Sequence, residues 1–442
     1  MMRKEELIVY RTFQDNKDRL LNEAAALVAD FEDGIMNKAV GGFHEEKKMA
    51  SRLYDCIHGL LELAGTYGFH GNLWHCHLAH LLVTHENSYS RGCEMRGAIP
   101  GTINDAVLHD MEIFKEFFDY DFGPMCERLH VAGFSMVQDY EGNSLESRVY
   151  NSRICARICE LARRLGGAGT PEEMKDILTE FYREYGVGKL GLHKCFRIGR
   201  DQEGAACIEP VPRIAHVRLD DLVGYEIPKK KLIDNTDAFV AGRAANNCLL
   251  FGDAGTGKSS CIKAIANEYY DQGLRVIEVY KHQFQELSRI IGQIKGRNYK
   301  FIIFMDDLSF EDFEIEYKYL KAVIEGGLEK KPENVLIYAT SNRRHLIREN
   351  YSDKEEIRQD MHTSDTVQEK LSLVYRFGVT IYFGAPDKKQ FQAIVKALAK
   401  RNGIEMPEEE LLSAANSWEL AHGGLSGRTA QQFVDYLRGK IG

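Results

Sequence analysis

Residues 252–259 read GDAGTGKS and match the pattern Gly-x4-Gly-Lys-Ser/Thr at every defined position. Cys248 to Phe251 before them are apolar and suit a strand, and Ser260 to Tyr270 after them suit a helix. A loop that turns from strand to helix aims successive backbone N–H groups at one point, where the helix end adds partial positive charge. Gly252, Gly255 and Gly257 permit backbone angles and close approaches that a side chain would block. Lys258 can reach β- and γ-phosphates, and the Ser259 hydroxyl can hold Mg²⁺. An ordinary glycine turn has no need of the Lys-Ser pair. The stretch therefore points to a nucleoside triphosphate site built from Gly252, Asp253, Ala254, Gly255, Thr256, Gly257, Lys258, Ser259 and Ser260.

Downstream, residues 301–307 read FIIFMDD, an apolar run that ends in two acids. Asp306 is suited to orient the water shell of Mg²⁺, and Asp307 to polarise an attacking water. Paired acids at a strand end can also be a solvated turn, but their position 48 residues after Lys258 leaves room for one intervening strand. The next apolar run ends in Ala339-Thr340-Ser341-Asn342, and Asn342 is the candidate to hold a γ-phosphate or a water. Two arginines, Arg376 before the last strand and Arg428 at the start of the last long helix, suit the charge that develops on phosphoryl oxygens. No Asn-Lys-x-Asp motif for guanine follows the loop, which favours adenine.

The apolar runs at 247–251, 274–279, 301–305, 335–339 and 379–383 predict a five-stranded parallel sheet with helices on both faces. Helical periodicity returns from Asp387 to the C-terminus. The first 200 residues are helical by the same criterion, with Thr170-Pro171 suited to start a helix. A polar stretch from Arg200 to Gly204, followed by Pro210 and Pro212, reads as a linker. The expected organisation is a helical domain over 1–200, a linker over 201–215, an α/β nucleotide-binding domain over 216–386 and a helical lid over 387–442.

The 442 residues carry a net charge of −9, which gives no global field for nucleic acid. No apolar run approaches the ~18 residues needed to span a bilayer, and the N-terminus lacks the apolar core of a signal peptide. Ten scattered cysteines without a CxxC pair fit a reduced, cytoplasmic protein. Cys155 and Cys159 lie four apart in a helical stretch, too far along one face for an easy disulfide.

The ordered set of phosphate loop, hhhhDD, strand-end Asn342, Arg376-Phe377-Gly378 and Gly424-Leu425-Ser426-Gly427-Arg428 resembles the AAA+ ATPase superfamily. The stretches LDDLVGYEIPKKKLIDNTDAFVAG, DDLSFED, LIYATSNRRHLI and LSGRTAQQFVD are similar to an uncharacterised bacterial AAA+ family, a domain of unknown function. The likeness runs from about Arg218 to Leu437. It implies that Val223 and Gly224 contact adenine, that residues 252–259 are Walker A and that Asp306 and Asp307 are Walker B. By the same likeness Asn342 is sensor 1 and Arg428 sensor 2. Arg376 resembles the arginine finger that serves a neighbouring subunit's nucleotide, which implies a homo-oligomer, a ring or part of one. Arg343 and Arg344 are alternative candidates for that role. Most of the superfamily has Glu where this chain has Asp307. One methylene less shifts the carboxylate by about an ångström, so slow hydrolysis is expected. The segment Val279 to Phe284 lacks the glycine of a threading pore loop, so polypeptide threading is not supported.

His75, Cys76, His77 and His80 crowd one stretch, with His70 and His85 nearby. On a helix no face carries more than two of these ligands, whereas a structural zinc needs four, so a packed helix is the expected reading. Lys229–Lys231 and Arg343-Arg344 are short basic runs that read as solvated faces, with nucleic acid a possible but disfavoured partner. The sequence thus points to an Mg²⁺- and ATP-binding ATPase that remodels an unidentified macromolecular substrate. A nucleotide-gated switch with little hydrolysis and a nucleic-acid remodelling or loading factor are the alternatives.

Overall fold

The computed structural model describes residues 4–11, 19–36, 43–142, 147, 149–150, 152–201, 203–212, 214–215, 217–310, 315–325, 332–342 and 373–441. Arg343 and Arg344 lie outside them, as does the alternative finger role read into them. The chain divides into two units, Met1–His193 and Lys194–Gly442.

The first unit is helical. Its helices are α1 (Arg19–Met36), α2 (Phe43–Tyr67), α3 (Leu73–Thr84), α4 (Ser88–Arg96), α5 (Ile103–Asp119), α6 (Gly123–Leu129), α7 (Phe134–Gln138), α8 (Ser152–Gly166), α9 (Pro171–Tyr185) and α10 (Gly188–Leu192). Thr170 caps α9 as its sequence implies, its side chain accepting from the Glu173 N–H at 3.2 Å with Pro171 in the first helical position. α3 is buried on nearly every side, from Leu73 to Val83, because the unit's core surrounds it. The buried Asp110 carboxylate on α5 accepts from the backbone N–H groups of Ile8, Val9 and Tyr10 at 2.8–2.9 Å. Those three bonds satisfy the charge that burial would otherwise penalise.

The second unit holds a sheet in the order β2-β1-β4-β5-β6-β3-β7. Its strands are β1 (Cys195–Arg200), β2 (Ala206–Pro210), β3 (Cys248–Gly252), β4 (Leu274–Glu278), β5 (Lys300–Met305), β6 (Val335–Ser341) and β7 (Val379–Phe383). The helices α11 (Glu226–Val240), α12 (Lys258–Glu268), α13 (Leu287–Ile294) and α14 (Glu316–Glu325) connect them. All seven residues of β6 are buried, and β5 is buried from Phe301 to Met305, as expected of strands covered on both faces.

The five expected strands form one parallel run, but the sheet has seven strands among the described residues. The two extra strands form an antiparallel hairpin, with β1 pairing parallel to β4. The residues read as a linker supply the hairpin's turn and its second strand. Asp201 closes the turn by accepting from the Glu203 and Ala205 N–H groups at 3.0 and 2.8 Å. Alternation hides this strand in the sequence, for in β1 only Phe196 and Ile198 are buried.

Three further helices, α15 (Lys388–Arg401), α16 (Glu408–Ala421) and α17 (Gly427–Ile441), form a small bundle. Its own core includes Phe391, Val395, Leu411, Phe433 and Val434.

Candidate functional site

Strand order brings the site together. β6 lies between the phosphate-loop strand β3 and the acid-bearing strand β5, all parallel, so their C-terminal ends meet at one sheet edge. Phe251 pairs with Ser341 and Met305 with Ala339. Gly252, Asp306 and Asn342 therefore emerge side by side, where open α/β sheets bind ligands.

The loop is anchored to β7. Gly252 has φ +134°, and a Cβ there would stand 2.1 Å from the Phe383 carbonyl oxygen, so only glycine fits. The Asp253 N–H donates to the same carbonyl at 2.9 Å, and the Asp253 carboxylate accepts from the Ala385 N–H at 2.7 Å. The loop runs into α12, which begins at Lys258. Lys258 is only 6% exposed, and its Nζ donates to the carbonyls of Gly252 (3.0 Å) and Asp253 (2.6 Å) and to Asn342 Oδ1 (3.1 Å). Burial lowers its pKa, the carboxylates of Asp253, Asp307 and Asp306 oppose that shift, and Arg428 adds to it.

Ser259 Oγ donates to Asp306 Oδ1 at 2.6 Å, and Thr340 Oγ1 donates to the same oxygen at 2.6 Å. Thr340 Oγ1 also accepts from the Asp307 N–H at 2.9 Å. This bond accompanies an unusual backbone at Asp307, φ +52°, which Asp tolerates better than most residues. The Asp307 carboxylate accepts from Asn342 Nδ2 at 2.8 Å, so Asn342 bridges Lys258 and Asp307. Hydroxyl and carboxylate oxygens held this close form the donor set of a hard divalent cation such as Mg²⁺.

The C-terminal bundle packs against the loop from the other side. The Arg428 N–H donates to the Gly255 carbonyl at 3.3 Å, and a Cβ on Gly255 would meet Arg428 Cβ at 3.1 Å. The cleft between holds about 680 Å³, ordinary for a small-molecule site. Val223, Lys258, Ser259, Asp306, Asp307, Asn342 and Arg428 line it together with Ala254 to Gly257 and Ser260.

Four sequence candidates stand elsewhere. Gly252 and Asp253 shape the loop from behind the cleft, as described above. Gly224 also lies outside the cleft lining, with its Cα close to the Gln390 amide. Arg376 is half-buried outside the cleft, next to Tyr375, which is 79% exposed. Thr340, Asp221 and Arg401 are among the lining residues that escaped the sequence reading. Thr340 stood in the quoted strand end, where its place two residues before Asn342 on an alternating strand was the available signal. Asp221 and Arg401 form an ion pair at 2.9 Å, and nothing in their separation along the chain announces it.

A phosphate loop, an interposed strand that carries Asn342 and a C-terminal helical bundle that carries Arg428 together define a phosphate-loop α/β fold. Within that class the chain belongs to the family "Protein of unknown function (DUF815)", whose model matches residues 192–441, more than half of the chain. No curated protein sequence matches it. Among solved structures it is similar to the RuvB Holliday junction branch migration motor of Thermotoga maritima, at 17% identity and a TM-score of 0.35. That alignment covers 50% of this chain and 64% of that one. A substituted form of the same protein matches at 16% identity and a TM-score of 0.37, over 51% of this chain and 66% of that one. The chain thus spans less than two thirds of these relatives' length. Among the described residues no helix is long and apolar enough to cross a membrane.

Proposed function

We propose that this protein is an Mg²⁺-dependent ATPase that turns its nucleotide state into lid movement and so remodels a macromolecular partner. One observation carries the reading. Lys258, the Ser259–Asp306 pair, the Asn342–Asp307 pair and Arg428 all face one cleft, although they come from four segments of the chain. In this reading Lys258 neutralises the phosphate chain, and Ser259 and Asp306 hold Mg²⁺ and its waters. Bound Mg²⁺ would supply charge neutralisation on the phosphates. Asp307 accepts a proton from an attacking water that Asn342 helps to orient. Val223 packs beside the base, and Arg428 couples the lid to the phosphates.

Phosphate release by the full chain tests this. Lys258→Ala and Asp307→Ala are each expected to lower turnover by about 10²-fold or more, since both act on the charge that develops in the reaction. Full turnover by Asp307→Ala, with Lys258→Ala inactive, would remove Asp307 from its role.

A nucleotide-gated switch with little turnover is the second reading. The short Asp307 side chain favours it, because Asn342 already ties that carboxylate back at 2.8 Å. ATP binding without phosphate release by the wild-type chain would select it. Arg376 acts on a neighbouring copy's nucleotide in either reading, which makes the working form a homo-oligomer. The exposed Tyr375 beside it supports a contact there. Nucleic acid is not favoured as the partner, given the net charge of −9.

A further inference from the structure

His70, Cys76, Cys155 and Cys159 meet in the N-terminal unit, and nothing in the nucleotide chemistry uses them. They come from three segments. His70 lies in the connection between α2 and α3, Cys76 sits in the first turn of α3, and Cys155 and Cys159 lie one turn apart on α8. A ligand atom of His70, Cys155 Sγ and Cys159 Sγ all lie within 4.8 Å of one another. Cys76 Sγ is 3.8 Å from Cys159 Sγ, and His70 Nδ1 is 3.6 Å from Cys159 Sγ.

The Cys76–Cys159 and His70–Cys159 separations match two edges of a tetrahedral metal site, while Cys76 stands outside the group of three and would complete the set by a small side-chain shift. With Zn–S of about 2.3 Å and Zn–N of about 2.0–2.1 Å, the tetrahedron's edges are about 3.8 Å between sulfurs and about 3.6 Å between sulfur and nitrogen. The i, i+4 spacing of Cys155 and Cys159 puts both sulfurs on one helix face. Packing of α3 against α8 then brings Cys76 to that face. Cys76 and Cys155 are buried and Cys159 is half-buried, while His70 is exposed and leaves an entry path.

No disulfide joins any of the ten cysteines. The neighbouring histidines turn away from the cluster. His75 Nε2 meets the Phe118 carbonyl at 2.8 Å, and His80 Nε2 meets the Tyr150 hydroxyl at 2.9 Å.

We propose that His70, Cys76, Cys155 and Cys159 form a Cys₃His site for a thiophilic divalent cation, Zn²⁺, which staples the α2–α3 connection and α3 to α8. Four protein ligands leave no open position, so the site is structural. Three sulfurs and one imidazole select zinc over the hard cations that suit the nucleotide cleft. Binding displaces the thiol protons of Cys76, Cys155 and Cys159 to solvent and changes no oxidation state.

Metal analysis of the full chain, purified under reducing conditions, tests the proposal. The expected content is about one zinc per chain, falling at least tenfold in Cys159→Ser and unchanged in Cys126→Ser, whose thiol lies outside the cluster. Cobalt added to the metal-free wild-type chain should give thiolate-to-cobalt charge transfer and the visible bands of a tetrahedral ion, both lost on adding zinc. This measurement stands even if Cys159→Ser fails to fold. Zinc retained by a folded Cys159→Ser, a cobalt spectrum without thiolate bands, or a Cys76–Cys159 disulfide in place of the metal would each overturn the site.

Discussion

The Thr340 hydroxyl serves two neighbours at once, giving its proton to Asp306 and accepting the N–H of Asp307. It thereby sets the direction of both acids. Valine has the same shape but neither bond, and it would leave the Asp307 N–H without its acceptor. Thr340→Val is expected to cost about 1–3 kcal/mol in urea unfolding and to lower phosphate release by about tenfold or more. Thr340→Ser, which keeps the hydroxyl, should restore the rate, and a rate that Thr340→Val leaves untouched would deny the residue any positioning role. At this scale the site was largely legible. Lys258, Ser259 and Asp306 could be assigned because contiguous motifs name them. Thr340 could not, because its role depends on which strand lies between β3 and β5.

Hidden alternation and continuous burial mark two kinds of strand in this sheet. β3 to β6 appear as mostly apolar runs, so composition exposes them, and β7 keeps an apolar run although it buries only Ile381 and Phe383. β1 and β2 bury only alternate residues at the sheet edge, and their polar turn resembles a linker. The hairpin nonetheless contributes to the core through Phe196, which is fully buried. Phe196→Ala is expected to destabilise the chain by about 3–5 kcal/mol in chemical denaturation. Adding two or three Gly-Ser residues between Glu203 and Gly204 should cost less than about 1 kcal/mol, since a lengthened surface turn loses little entropy. Equal costs at the two positions would mean that the hairpin does not pack as described. The same contrast holds in the N-terminal unit. The sequence shows α3 as a buried helix, but it does not show which face of α8 its Cys76 meets.

For the whole molecule, the open question is where Arg376 acts. It stands outside the cleft of its own chain, in the second unit, beside an exposed tyrosine. If it serves a neighbouring copy, Arg376→Ala subunits and Lys258→Ala subunits, each inactive alone, should recover part of the turnover when mixed. Some mixed interfaces then pair an intact loop with an intact arginine. Recovery should rise with protein concentration, and its absence at every ratio would put Arg376 outside the chemistry.

The phosphate loop, the parallel core and the C-terminal helices were determined by the sequence alone. Each is written in contiguous residues whose local geometry follows from glycine placement, apolar runs and helical periodicity. The tertiary structure alone decided that Thr340 aims both acids, that Arg428 rests on Gly255 and that the sheet gains a hairpin edge. It also gathered one histidine and three cysteines from separate segments. Those contacts join residues far apart along the chain, and only strand order and helix packing, not local pattern, can bring such residues within bonding distance.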